Sequence, residues 1–287
     1  TDGSFNSVSI GKGANSVAEN TVLGQNALDA SVSGGSLTAV GFNALTACTS
    51  GGTNTAIGRK TLEFVTTGQS NTAVGANALN KNTASNNTAV GKNALLLNTT
   101  GTGNVAVGRE ALNANTTADS NTAVGDLALM ANTTGATNTA VGREALQNNT
   151  TASDNTAVGY QALEENTTGS TNVAVGALAL DANTTGSGNT SLGKSSLSAN
   201  TTASNNTAVG NDALKLNTTG TQNVAVGSLA LRDNTTANDN TALGHAGLLN
   251  NETGASNTAV GKGALGNNTT ASNNVALGAD TLALNTT

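Results

Sequence analysis

The chain has 287 residues, of which 1% are aromatic and 10% are charged, and it contains no Trp and no Pro. Its net charge of -6 is spread thinly, which excludes a basic surface for nucleic acid and a polybasic segment for an anionic membrane. No apolar run approaches the length of a membrane-spanning helix, so we expect no membrane insertion. The aliphatic positions keep a strict phase, which a disordered chain has no reason to do.

A glycine returns every 17 residues from Gly24 to Gly278, except for a single step of 16 residues between Gly75 and Gly91. Such a period indicates a stack of similar units. Residues 1–23 depart from the period, because Gly11 precedes Gly24 by only 13 residues, and we expect an irregular transition there. Residues 24–287 are predicted to form one continuous solenoid that stops within a unit, so we expect a following domain to be missing or removed.

Each unit predicts a short strand before its glycine, with a branched aliphatic residue one place before, Ala two before, and Thr or Val three before. The exchange of Thr with Val indicates a packed site. An Ala-Leu pair after the glycine predicts a second short strand, and Gly and Asn supply the turns. The predicted fold is therefore an all-β solenoid of about 17 coils. Its core is predicted to contain Val74, Leu79, Val90, Leu95, Val107 and Leu112.

This core is thin for the entropy that ordering each coil costs. We expect two compensating devices, namely hydrogen-bonded ladders of stacked Asn and Thr, and lateral association through the Ala stripe. A face of small residues lets neighbouring backbones approach closely, so we expect it to face the axis of a homotrimer. The residues predicted at this interface are Ala39, Ala56, Ala73, Ala89, Ala106, Ala123, Ala140 and Ala157.

Catalytic and metal-binding patterns are not found in the sequence. The single histidine, His245, occupies a variable position, and the lone Cys48 stands where later repeats carry Asn. No Cys and His cluster has metal-ligand spacing, so no metal or cofactor is expected. A polysaccharide depolymerase needs paired carboxylates in a groove, whereas the acidic residues here do not repeat in phase. The chain is therefore not expected to be an enzyme.

Two surface patterns remain. Basic residues recur directly after the repeat glycine, and we interpret them as a solvated rim, with a binding rail for acidic glycans as the alternative. The rim contains Lys92, Arg109, Arg143, Lys194 and Lys262. The glycosylation sequence Asn-x-Thr also recurs, which duplication of one corner explains without glycans. It begins at Asn98, Asn115, Asn132, Asn149, Asn166, Asn183, Asn200, Asn217, Asn234, Asn251, Asn268 and Asn285.

Two phrases carry a resemblance to known proteins. The segment Asn6-Ser7-Val8-Ser9-Ile10-Gly11 resembles the repeat of trimeric autotransporter adhesin heads, which are trimers of β-rolls. The phrase Asn-Thr-Ala-Val-Gly-x-x-Ala-Leu-x-x-Asn-Thr-Thr resembles repeats of phage tail-fibre and appendage proteins, which often carry an endosialidase-type chaperone domain. The resemblance implies a trimeric extracellular fibre on a virion or a bacterial surface, with a host or cell-surface receptor, such as a glycan, as partner.

The leading hypothesis is a structural shaft segment of an attachment fibre, with a phage tail fibre preferred to a bacterial adhesin head or stalk. An ice-binding solenoid is the alternative from a different class, because regular ranks of Thr can order water on a flat face. Against it, the Thr before Ala-Val exchanges with Val and is expected to be buried. For this alternative, the relevant residues would be Thr99, Thr116 and Thr133 in the Asn-Thr-Thr corner.

Overall fold

A computed structural model describes residues 3–286 and shows an all-β solenoid of about 15 turns, with a repeat of about 17 residues and no helix among the described residues. The chain divides into two compact units, which meet in sequence between Val141 and Gly142. In the first unit the strands are β1 Gly3–Phe5, β2 Val8–Gly11, β3 Thr21–Gly24, β4 Thr38–Val40, β5 Thr55–Ile57, β6 Thr72–Val74, β7 Thr88–Val90, β8 Val105–Val107, β9 Thr122–Val124 and β10 Thr139–Val141. In the second they are β11 Thr156–Val158, β12 Val173–Val175, β13 Thr190–Leu192, β14 Thr207–Val209, β15 Val224–Val226, β16 Thr241–Leu243, β17 Thr258–Val260 and β18 Val275–Leu277.

Each coil holds one short strand followed by consecutive turns. The predicted second strand at the Ala-Leu pair is wrong, because Asn43 and Leu45 have left-handed backbone angles, with φ of 56° and 54°. Hydrogen bonds between residues three apart in sequence close these turns. For example, the Ala44 N–H donates to the Gly41 carbonyl over 3.3 Å. A positive φ costs most residues about 1–2 kcal/mol each. Contacts to neighbouring coils must therefore hold this conformation.

Neighbouring coils stack in register. In the first unit β3 to β10 pair in parallel with equivalent residues opposite each other, as in Ala39 with Ala56. In the second unit β11 to β18 pair in the same way. The turns are bonded as well, because Asn43 donates to Gln25 in the preceding coil and Leu45 donates to Thr61 in the following one. The turn backbone is thus hydrogen-bonded in both directions.

The first strands are arranged differently from the rest. β1 pairs with β2 in antiparallel orientation, and β2 pairs with β3 in the same way, with Ile10 opposite Leu23. The phrase that ends at Gly11 therefore forms part of a hairpin arrangement and adds no parallel coil. This difference lowers the coil number below the predicted 17.

The strand alternation was predicted, but the assignment of its two faces is wrong. The middle residue of the strands from β4 to β18 points into the coil, and its neighbours on both sides point outward. This residue is Ala in all of these strands except β13, where it is Ser191. The residues predicted at a trimer interface are fully buried within the single chain, so they are not available to another copy. They are Ala39, Ala56, Ala73, Ala89, Ala106, Ala123, Ala140 and Ala157.

The predicted core is correct for leucine and wrong for valine. Leu79, Leu95 and Leu112 are fully buried. Val74 is half-buried, and Val90 and Val107 are 37% and 36% exposed on the outer side of their strands. The interior of a coil therefore holds a Leu side chain and Ala methyl groups, as the full burial of Ala73, Ala78 and Leu79 illustrates.

The repeat glycine is required by the closeness of the coils. At Gly75, φ is +125°, and an added Cβ would lie 2.6 Å from the Gly91 carbonyl oxygen of the next coil. A glycine at the nearby corner, Gly103, is less constrained, because its Cβ would lie 3.7 Å from Ser120 Oγ. The equivalent corner position in the next coil is Ser120 itself, which has a similar φ of 59°.

We predict that Gly75→Ala lowers the free energy of unfolding by about 2–4 kcal/mol, because it combines backbone overlap with an unfavourable φ. Gly103→Ser serves as the matched control in the same unit and should change stability little. Urea denaturation followed by circular dichroism measures both. Equal stability of the Gly75→Ala variant and the wild type would contradict the close-approach argument.

Candidate functional surfaces

Two columns of asparagine side chains join the coils internally. In the first, which we call the corner ladder, Asn115 Nδ2 donates to Asn98 Oδ1 over 2.7 Å and to the Ala118 carbonyl over 3.1 Å. Asn132 Nδ2 then donates to Asn115 Oδ1 over 3.1 Å. In the first unit the corner ladder consists of Asn82, Asn98, Asn115 and Asn132. In the second it consists of Asn149, Asn166, Asn183, Asn200, Asn217, Asn234, Asn251, Asn268 and Asn285.

The second column, the strand ladder, precedes each strand. Asn104 Oδ1 accepts the Asn121 N–H over 2.9 Å, and Asn104 Nδ2 donates to the Ala118 carbonyl over 2.8 Å. In the first unit it comprises Asn54, Asn71, Asn87, Asn104, Asn121 and Asn138. In the second it comprises Asn155, Asn172, Asn189, Asn206, Asn223, Asn240, Asn257 and Asn274. These bonds confirm the predicted Asn ladders and satisfy backbone groups that a buried turn would otherwise leave unpaired.

The corner contacts argue against two candidate surface features, namely glycans on the corner asparagines and free hydroxyl groups on the corner threonines. The corner-ladder asparagines from Asn98 to Asn268 are fully buried, so a glycan on any of them is incompatible with the folded coil. Asn205 and Asn267 also begin an Asn-x-Thr sequence and are exposed. The first Thr of the Asn-Thr-Thr corner is also occupied, because Thr99 Oγ1 donates to the Thr116 carbonyl over 2.9 Å. Thr116 does the same to Thr133 over 3.1 Å. Thr99 and Thr116 therefore bind the next coil rather than present free hydroxyl groups.

The outward residues of the strands form a regular, uncharged surface. We call it the strand face. In the first unit its two ranks are Thr38, Thr55, Thr72, Thr88, Val105, Thr122 and Thr139, and Val40, Ile57, Val74, Val90, Val107, Val124 and Val141. In the second unit they are Thr156, Val173, Thr190, Thr207, Val224, Thr241, Thr258 and Val275, and Val158, Val175, Leu192, Val209, Val226, Leu243, Val260 and Leu277. The exchange of Thr with Val therefore marks a shared outward shape and not a buried site.

The basic rim lies on the surface but is interrupted. Its five predicted members are exposed. Arg109 Nε pairs with Asp126 Oδ1 over 2.8 Å, and Arg143 pairs with Glu144 over 2.6 Å and lies over the Tyr160 ring. Two of the five cations are thus locally compensated. In addition, the rim position is held by Ala76 and Asp126 in other coils, which gives little support to a continuous anion-binding rail.

The groups that most often perform chemistry are scattered. His245 is exposed, and Cys48 is buried with its Sγ donating to the Gly51 carbonyl over 3.4 Å. Burial raises the pKa of the Cys48 thiol, which disfavours the reactive thiolate. Within residues 3–286 no group of three or more His, Cys, Asp or Glu side chains is placed to hold a metal ion.

Comparisons with known proteins add no family. No family model matches the chain, and no curated protein and no solved structure matches it either. The described residues also contain no helix that is long and apolar enough to span a membrane.

One carboxylate in the second unit is poorly accommodated. Asp181 Oδ1 is buried without a hydrogen-bond partner. Desolvation raises the pKa of Asp181, and the negative charge of Glu165 adds to the rise. The pKa of Glu164 is also raised, first by desolvation and then by Glu165, Glu144 and Asp181. A carboxyl whose pKa is higher in the folded state stabilises the fold only while it is protonated, so this contribution is lost as pH rises through that pKa.

We predict that Asn115→Ala destabilises the fold by about 1–3 kcal/mol, because it leaves the Asn98 oxygen and the Ala118 carbonyl short of a donor. Asn113→Ala is the control in the same coil, since Asn113 makes a single bond to the Asn93 carbonyl and is only half-buried. Denaturant midpoints compare the two variants. Equal losses of stability in the two variants would show that the corner ladder stabilises the fold no more than the bond of Asn113 does.

We also predict that Asp181→Asn raises stability at pH 7. The gap between variant and wild type should close on acidification toward the ordinary Asp pKa, about 4, where the wild-type carboxyl becomes protonated. Urea midpoints across this pH range test the expectation, with the exposed Asp239→Asn as control. A gap that is constant with pH would contradict the role of the Asp181 charge.

Proposed function

We propose that this chain is a structural shaft segment of an extracellular attachment fibre, with a phage tail fibre preferred to a bacterial surface adhesin. The observation that carries the proposal is that the buried Asn side-chain amides form hydrogen bonds from one coil to the next. Asn115, for example, is fully buried and bonded to both adjacent corner-ladder residues. A chain built in this way is suited to keeping a fixed distance between the parts of a fibre that it connects.

The energetics of stacked repeats support a mechanical role. In solenoids, stability is approximately a sum of repeat and nearest-neighbour terms. Here the coils contribute similar sets of internal bonds, as the two Asn ladders show. Parallel strands whose edges are occupied by neighbouring coils also offer few extended segments to a protease. Resistance to unfolding and cleavage is what a fibre outside the cell requires.

The proposed partners are further copies of this chain and a host or cell-surface receptor, such as a glycan. Because the middle Ala of each strand is buried, association into a homotrimer would have to use outward-facing side chains. The preference for a phage fibre rests on the Asn-Thr-Ala-Val-Gly phrase, and the receptor would be bound at a tip that the shaft positions. No catalytic residue is assigned, and no cofactor is proposed.

Native mass in solution tests the proposal. We predict a particle of about three times 27.8 kDa by sedimentation equilibrium, with a frictional ratio above that of a globule by sedimentation velocity. Limited proteolysis of the same sample should leave the coils intact. A monodisperse folded monomer would refute the trimer, and rapid cleavage within the coils would contradict a shaft role.

A further inference from the structure

We propose that the strand face of the first unit is an ice-binding surface, whose ligand is the ordered water layer of a growing ice crystal. This goes beyond the shaft role and does not depend on it. The inference concerns the outward ranks of β4 to β10 and not the Asn-Thr-Thr corner. The structure shows the outward strand threonines to be on the surface, while the corner hydroxyls of Thr99 and Thr116 are bonded to the next coil.

The first requirement for binding a crystal is a surface with a fixed repeat. In this unit the strand N–H groups donate to the next coil over 2.8 or 2.9 Å at Thr38, Thr55, Thr72, Thr88, Val105 and Thr122. Strands paired in this way lie about 4.8 Å apart, and outward residues along one strand lie about 6.6 Å apart. Sheets normally twist, but side-chain ladders can hold many strands flat. The two Asn ladders bond each coil of this unit to the next, and the strand ladder directly precedes the strands of this face.

The second requirement is the right chemistry at each lattice point. One rank is Thr in six of the seven strands from β4 to β10, and the other rank is Val or Ile throughout. Among the described residues, no hydroxyl of these strand-face threonines forms a hydrogen bond with the protein, so each remains available to water. The methyl groups beside them restrict the orientation of neighbouring water. Water held by both effects takes positions that the face dictates.

The third observation concerns charge. No residue of the strand face is ionisable, although 28 residues of the chain are charged. A charged side chain would hold its own hydration shell and disturb a regular water layer. An uncharged face complements the neutral surface of ice, whereas it offers nothing to attract an acidic or basic partner.

The size of the face favours this ligand over a protein. Seven strands of three residues cover about 30 Å by 10 Å, or about 300 Å². Stable protein interfaces bury about 800 Å² on each partner, so this face alone is too small to hold a second copy firmly. An ice surface has no side chains to immobilise, and it is periodic, as the strand face is. The face is therefore better matched to a crystal than to a protein.

Two triple variants with the same change in charge test the assignment. Thr38→Lys/Thr55→Lys/Thr72→Lys places charges on the strand face, and Ser36→Lys/Thr53→Lys/Ser70→Lys places them at exposed corner positions of the same coils. Thermal hysteresis and ice-crystal shape are measured for the whole chain at high concentration. Circular dichroism confirms that each variant is folded, and the single variant Thr55→Lys replaces the triple one if the latter is not.

We expect hysteresis and faceted crystals for the wild type and the corner variant, and loss of both for the strand-face variant. Absence of ice shaping by the wild-type chain, or equal loss in both variants, would overturn the assignment. Sedimentation of the same samples separates this result from the shaft proposal. An oligomer that only the strand-face variant dissociates, without ice activity, would mean that a second copy covers the face.

Discussion

The structure depends on one interaction, the hydrogen bonding of buried asparagine amides between successive coils. A coil of about 17 residues encloses little apolar surface, since its interior holds mainly one Leu and small residues such as Ala. It also contains turns with left-handed residues that are unfavourable in isolation. An amide that donates and accepts along the stack offsets both weaknesses, because it satisfies buried backbone groups and fixes the position of the next coil. Each such bond is modest, but it recurs in nearly every turn.

This internal use of polar groups determines what remains outside. Amides and corner hydroxyls that would otherwise mark glycosylation or ligand binding are turned inward, as Asn98 and Thr99 illustrate. The outer side of the strands then carries only Thr and branched aliphatic residues. A fibre shaft and an ice-binding face are two uses of the same regularity. The shaft role depends on the bonds between coils, and the ice-binding role depends on the outward ranks of the strands.

The sequence was sufficient to predict the solenoid, its period and the burial of Leu79, Leu95 and Leu112. The 17-residue recurrence of glycine reflects close contact between coils, as at Gly75, which a Cβ would prevent. Alternation also predicted two opposite faces for each strand, but it does not say which one lies inside. Sequence reasoning favours Val for the core, because Val is among the residues most often buried. Here the narrow coil reverses the order, with Ala73 buried and Val74 partly exposed.

The turns after the glycine could not be predicted in the same way. Leucine rarely adopts positive φ, so the Ala-Leu pair favoured a strand, and only the bonds to both neighbouring coils explain why Leu45 has a φ of 54°. Similarly, the role of Asn in turns was evident, but the bonding of each side chain became clear only with the coils in register.

Hydrogen exchange of asparagine side-chain amides tests the central claim most directly. NMR of a chain labelled with ¹⁵N in Asn, transferred to deuterated water, follows the Nδ2 groups themselves. The account predicts that the buried ladder residues, such as Asn104 and Asn115, exchange far more slowly than half-buried Asn113. Exchange of the ladder amides as fast as that of Asn113 would contradict the claim that they hold the coils together.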